Sequence, residues 1–299
     1  FGVDDMEACK QFLLDYGLDA AGNGRFEALD GTAVIIADKE DSSLPPALET
    51  GSMLRKTVYG VADQATLDAI AEELGKDREV KKLDDGSLEA MDDLGFVLGF
   101  QVTIRKKLSL PAGKTNVPGS PDQRPINDVA VSKEAQPKPV SLSHVVYFVP
   151  DYATAEAFYA QRLGFVTTDR FTGVGPFMRP AGTQDHHTMF MIQTPPHMQG
   201  CEHFTFHMMG PSEVMQAGTN MVNKGYQSFW GPGRHIFGSN WFWYFSSPLG
   251  CKMEYDADMD LHDESWSARE AALGADNSQV FLMEYREKWA PMGPPPDKS

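Results

Sequence analysis

The feature that most constrains this chain is one supersecondary pattern that recurs along it. Residues 146–165, VYFVPDYATAEAFYAQRLGF, read as a strand, an amphipathic helix and a closing glycine. Residues 1–18, FGVDDMEACKQFLLDYGL, read the same way, and the steps Val149 to Phe158 and Val3 to Phe12 are both nine residues. HFTFHMMGPSEVMQAGTNMVNKGY (203–226) and RKTVYGVADQATLDAIAEELGK (55–76) form a second pair of strand, turn and helix. SSPLGCKMEYDAD (246–258) and MDDLGFVLGFQVT (91–103) share a Leu-Gly turn between strands. Each half therefore reads as two strand–helix–strands units, and a repeated unit closes its sheet against its twin.

Between the halves, residues 108–140 are rich in Pro, Gly and polar residues and lack sustained periodicity. The expected organisation is a first domain over 1–107, a linker over 108–140 and a second domain with a C-terminal tail over 141–299. The 299 residues are long enough for two cores. The chain opens at Phe1, without Met and in mid-pattern, so a preceding segment is expected. No signal-peptide pattern and no apolar run of membrane-spanning length is seen. Three cysteines, odd in number and far apart, lack zinc-finger spacing and suggest a reducing cytoplasm. A formal net charge of −16 disfavours nucleic acid and anionic membrane surfaces as partners.

Residues 231–260 carry His235, Tyr244 and Glu254, spaced by nine and ten, in an aromatic, β-prone segment. Trp241 to Phe245 reads as a strand, Ser246 to Gly250 as a turn, and Cys251 to Tyr255 as the returning strand. Asn240, Phe242 and Tyr244 then share a face, and a hairpin can bring Glu254 onto it. A carboxylate among aromatic side chains needs compensation by a metal ion, an Arg or a Lys. The alternative is a solvated edge.

Eight histidines are present. His144 and His203 open the strands HVVYFV and HFTFHM at corresponding places in the two units of the second half. With Glu254 they make a set of two His and one carboxylate, typical of non-haem Fe(II) oxygenases. Taken singly, a His at a strand start is more often a structural residue than a ligand. By eye, Arg55 falls opposite His203 and Gly99 opposite Glu254, while the counterpart of His144 falls before Phe1. The first half thus keeps the scaffold and loses two of the polar groups, which favours chemistry over folding as their role. His207 competes with His203 and is read as lining the pocket or supporting a ligand. His186 and His187 alternate in direction, so one of them faces the site. His197 and His262 are expected to be exposed, and the acidic run DADMD to be solvated rather than a calcium loop.

The segments SHVVYFVPDYATAEAFYAQRLGF, DHHTMFMI, EHFTFHM, GPGRHIFGSNWFWYF and SPLGCKMEYDADMD resemble the vicinal oxygen chelate superfamily. More narrowly they are similar to its two-domain type I extradiol ring-cleaving dioxygenases. The likeness spans most of 141–260 and is weaker over the first half. It implies an α+β fold of two domains, each of paired βαβββ modules forming a curved mixed sheet around a cavity, with the first domain free of metal. It implies His144, His203 and Glu254 as ligands of Fe(II), or of Mn(II) in some members. His187 falls at the family's acid–base His, His235 at its second active-site His and Tyr244 at its active-site Tyr. The implied reaction opens a catechol with O₂, in aromatic degradation, with both oxygen atoms incorporated. A homo-oligomer is also implied. Val146 departs from the polar residue of carboxylate-substrate members, and FTGVGPFM and NWFWYF are apolar. Val146, Phe177, Asn240 and His207 are expected to line a pocket for an aryl- or alkyl-substituted catechol, unless Arg179 or Arg234 faces it. Two rival readings are a metal-dependent lyase, isomerase or epimerase of the same superfamily, and a small-molecule-binding protein on the same scaffold.

Overall fold

The computed structural model of the chain describes residues 1–111 and 116–283. The first module holds β1 (Gly2–Val3), α1 (Met6–Tyr16), β2 (Asp19–Gly22), β3 (Arg25–Glu27), β4 (Ala33–Ile35) and β5 (Ala37–Asp38). The second holds β6 (Thr57–Val61), α2 (Gln64–Leu74), β7 (Lys81–Lys82), β8 (Leu88–Met91) and β9 (Val97–Val102). The third holds β10 (Ser141–Val149), α3 (Tyr152–Leu163), β11 (Phe165–Thr172), β12 (Gly175–Pro180) and β13 (Met189–Gln193). The fourth holds β14 (Gly200–His207), α4 (Pro211–Asn223), β15 (Ser228–His235), β16 (Trp241–Ser246) and β17 (Lys252–Ala257). After it come β18 (Arg269–Ala272), α5 (Ala275–Ser278) and β19 (Gln279–Leu282). This is a mixed α+β fold, as the repeat implies.

The repeat survives in the pairing. In every module the first strand runs parallel to the last: β1 with β5, β6 with β9, β10 with β13 and β14 with β17. The helix between makes that crossover possible. Asp5, Asp63 and Asp151 cap α1, α2 and α3 by accepting backbone N–H groups. Gly17 and Gly164 end α1 and α3 at φ of 107° and 69°, a conformation glycine adopts without strain.

The antiparallel pairing of β10 with β14 fuses the third and fourth modules into a ten-stranded sheet, ordered β18-β11-β12-β13-β10-β14-β17-β16-β15-β19. In the first half the strands form separate sheets of two, three and four. The central strands of the large sheet are buried on both faces, which erases the apolar–polar alternation expected of a one-sided sheet. Their outer-face residues Val145, Tyr147, Phe204, Phe206, Phe245, Met253 and Tyr255 share one apolar core with Phe12, Tyr16, Leu98 and Phe100 of the first half. Tyr16 stacks on Tyr255 with centroids 4.0 Å apart, and the Tyr147 hydroxyl donates to Thr57 Oγ1 at 2.7 Å.

Residues 108–111 and 116–140 carry no helix or strand. Residues 284–299 of the expected tail lie outside the described residues.

Candidate metal centre

The ladders correct the sequence alignment by one residue. His144 and His203 do not open their strands; each is the fourth residue of β10 or β14, and each lies seven before the cap of the following helix. Seven before Asp63, the cap of α2, stands Lys56 rather than Arg55. Thr205 pairs with Glu254 across β14 and β17, as Val58 pairs with Gly99 across β6 and β9, so Gly99 keeps its place opposite Glu254. Tyr244 pairs with Glu254, as Glu89 pairs with Gly99. In the second module the places of His203 and Glu254 thus hold Lys56 and Gly99, and that of Tyr244 holds Glu89. Lys56 Nζ and Glu89 Oε2 close a 3.0 Å ion pair there. The third module has Phe190 and Phe177 where the fourth has Glu254 and Tyr244.

His144, His203 and Glu254 meet on the inner face. One donor atom of each lies within 4.8 Å of the others, and the residues are 4%, 6% and 0% exposed. His144 Nε2 is 3.2 Å and His203 Nε2 3.5 Å from Glu254 Oε2. Donors bound at ~2.1 Å and at right angles stand ~3 Å apart, close to these two separations.

The supporting residues fix the tautomers in the same sense. Ser143 Oγ donates to Asp256 Oδ2 at 3.2 Å and lies 2.9 Å from His144 Nδ1. His144 Nδ1–H therefore donates to Ser143, which leaves Nε2 bare towards Glu254. His203 Nδ1 is bonded to Glu202, itself paired with Lys252, and His203 Nε2 is buried without a hydrogen-bond partner, as is Glu254 Oε1. Lone pairs converging on a buried point suit a cation held between them.

The titration directions agree. Burial alone would raise the Glu254 carboxyl, but the neighbouring His144, His203 and His235 hold it well below the usual range. Burial pushes His144 down against the pull of Glu254. Burial would also lower His203, yet Glu202 and Glu254 overcome it and push it to about 9. The charge these carboxylates demand can be met by a proton on His203 or by a metal ion that replaces it.

His187, His235 and Tyr244 lie against His144, Glu254 and His203 respectively. His187 is buried with its ring centroid 4.3 Å from that of His144 and 5.1 Å from that of Phe177. Burial, then the neighbouring His144 and His186, hold it well below the usual histidine range. His235 Nε2 lies 3.2 Å from Tyr244 Oη and 3.6 Å from Glu254 Oε1. Burial, then the Glu254 charge, push the Tyr244 phenol well up, so it remains a hydrogen-bond donor. Val146 and Phe177 join Phe171, Phe190 and Phe237 in a second apolar cluster, apart from the main core. Phe177 and Phe190 stack with centroids 4.0 Å apart. Asn240 Nδ2 donates to Asp256 at 3.4 Å. His207 pairs with Asp256 at 2.7 Å; burial would lower it, but Asp256 and Asp185 push it up to about 10.

Two further expectations fail. Asp256, in the run read as solvated, is fully buried because His207, Ser143 and Asn240 hold its carboxylate. His262 is half-buried, not exposed, because its ring stacks on Trp266 at 3.9 Å. His197 is exposed, as expected. Arg179 donates to the carbonyls of Thr183 and Asp263, and Arg234 pairs with Asp258, so neither guanidinium is spent on the metal centre. Sequence reasoning missed Ser143, Asp169, Glu202, Thr205 and Asp256. Thr205 Oγ1 donates to Glu254 Oε2 at 2.5 Å and lies 2.9 Å from His144 Nε2. Its position two residues after His203, facing Glu254 in a parallel pair, was the available signal.

Residues 141–255 match the profile of the Glyoxalase/Bleomycin resistance protein/Dioxygenase superfamily. This stretch is a domain of that superfamily. Metapyrocatechase 2 of Cupriavidus necator is 35% identical over 136 residues, which is 45% of this chain and 42% of that protein. The chain thus aligns with less than half of this relative's length. The Mn(II)-bound glyoxalase from Novosphingobium aromaticivorans matches with a TM-score of 0.68 at 20% identity, over 91% of this chain and 85% of that one. The 2,2',3-trihydroxybiphenyl 1,2-dioxygenase from Sphingomonas wittichii matches with a TM-score of 0.65 at 21% identity, over 94% and 95%. The two solved structures share the fold beyond the superfamily domain.

Proposed function

We propose that the chain is a metal-dependent extradiol dioxygenase that opens a catechol carrying an aryl or alkyl substituent, in the breakdown of aromatic compounds. The observation that carries this reading is the convergence of possible ligand atoms of His144, His203 and Glu254, with His187, His235 and Tyr244 beside them. The identity shared with a metapyrocatechase supports it.

Fe(II), or Mn(II), held by His144, His203 and Glu254 would supply the positive charge that binds both catechol oxygens and the electron path to O₂. In the reaction one ring C–C bond beside the diol breaks and both atoms of O₂ enter the product. The chain's own groups do the rest. His187 is neutral and can take a hydroxyl proton and return it. Tyr244 Oη, with His235 behind it, offers a hydrogen bond towards oxygen atoms as they gain charge. Val146, Phe177, Phe190 and Phe237 give an apolar wall where a carboxylate would be costly to bury.

The test is anaerobic loading with Fe(II), then oxygen uptake with a panel of catechols. The expected result is catechol-dependent uptake with a yellow ring-opened product, and a higher kcat/KM for phenyl- or alkylcatechols than for carboxylated ones. Metal binding with turnover that needs no oxygen would move the assignment to a lyase or isomerase.

A further inference from the structure

We infer that Asp169 and His186 are positioning residues that hold His187 as one tautomer, with a proton on Nδ1 and a bare Nε2. The inference rests on the reading of His187 as the acid–base of the site and adds which nitrogen moves the proton.

The geometry is a chain of four groups. Asp169, on β11, and His186 are each 0% exposed. Asp169 Oδ2 is 2.7 Å from His186 Nε2. The same carboxylate accepts from Arg269, through its backbone N at 2.8 Å, Nε at 3.1 Å and Nη2 at 2.5 Å. His186 Nδ1 is 2.8 Å from His187 Nδ1. His186 is fixed at its backbone too, with its N–H donating to Asp260 O at 2.9 Å and its carbonyl accepting from Thr168 Oγ1 at 2.7 Å.

The proton positions follow step by step. Asp169 is an ionised acceptor: burial would raise it, but His186 and Arg269 hold it down. The nitrogen facing it, His186 Nε2, must therefore be the donor. Arg269 already balances the Asp169 charge. A second full charge on a buried His186, beside a metal centre, would have no partner. His186 is therefore neutral, and its Nδ1 is an acceptor. His187 Nδ1–H then donates to it. His187 Nε2 is left with a free lone pair, the state a general base needs before it receives a substrate proton. When His187 takes that proton, the chain through His186 to Asp169 spreads the positive charge away from the metal.

Arg269 belongs to β18, which pairs with β11 at the edge of the large sheet. The segment after the last core strand thus helps set the proton chemistry without touching the metal.

The decisive measurement is the tautomer of His187 in the metal-free wild-type protein, read from imidazole ¹⁵N shifts and couplings. Signals are assigned by their loss in His186→Gln and His187→Gln. The expected result is His187 protonated at Nδ1 and His186 at Nε2. A His187 ring protonated at Nε2 overturns the proposal. The kinetic counterpart is Asp169→Asn, in which kcat is expected to fall ~10–100-fold while KM changes little. A variant that folds and keeps full kcat also overturns it. If that variant does not fold, the wild-type tautomer decides alone. A wild-type protein without oxygen uptake on any catechol would remove the functional reading and leave the tautomer result standing.

Discussion

At the scale of single residues, the hydroxyl of Thr205 shows how tightly the inner face is specified. It lies between His144 Nε2 and Glu254 Oε2 and is fully buried. Thr205→Val keeps the shape and removes the hydrogen bond that orients the carboxylate. Metal affinity is expected to drop ~10–100-fold with little change in fold, as for other supports of metal ligands. Titration of the metal-free protein with Mn(II) checks this, and an unchanged affinity would mean that Glu254 is oriented by its ladder alone. His144, His203 and Glu254 stood out in the sequence because three chemically related groups fell at equivalent strand positions. Ser143, Asp169, Glu202, Thr205 and Asp256 did not, because their roles depend on which groups the ladders and bulges bring beside them. The register slip between Leu142 and His144, for example, is invisible in one sequence.

At the scale of elements, the β8–β9 turn carries a buried acid. Asp92 Oδ1 accepts the N–H groups of Leu94 and Phe96, each at 2.9 Å, and Oδ2 lies 3.4 Å from Tyr159 Oη of α3. Burial raises its carboxyl to about 6, against the pull of those two backbone donors. An unfolded Asp titrates at about 4. Between about pH 4 and 6 the folded state holds a proton that the unfolded state releases, so this group lowers stability as pH rises through that window. Above about pH 6 the loss is complete, on the order of 2–3 kcal/mol. Asn at this position can accept the same two N–H groups and donate to Tyr159. Asp92→Asn should therefore gain stability over the wild type as pH rises from 4 to 7. Urea midpoints at pH 4.5 and 7.5 measure it, and parallel curves for the two proteins would contradict it.

At the scale of the molecule, the four modules are one scaffold used in different ways. The succession of strands and helices, the closing glycines and the Leu-Gly turns were readable because they depend on local pattern. The shared core was not readable. Tyr16 on α1 donates to the backbone carbonyl of Glu254 at 2.5 Å, and Arg162 on α3 pairs with Glu73 and Asp77 near α2. Such contacts link residues far apart in the chain and follow from tertiary packing alone. The Lys56–Glu89 ion pair takes, in the second module, the places that His203 and Tyr244 hold in the fourth, and Gly99 takes that of Glu254. The metal centre is therefore expected in the second half only. Metal content per chain, after anaerobic Fe(II) loading and removal of excess ion, tests this claim most directly. One tightly held Fe(II) is expected in the wild type and in Lys56→Met, and almost none in a folded Glu254→Gln. Iron retained by Glu254→Gln at wild-type stoichiometry would contradict it.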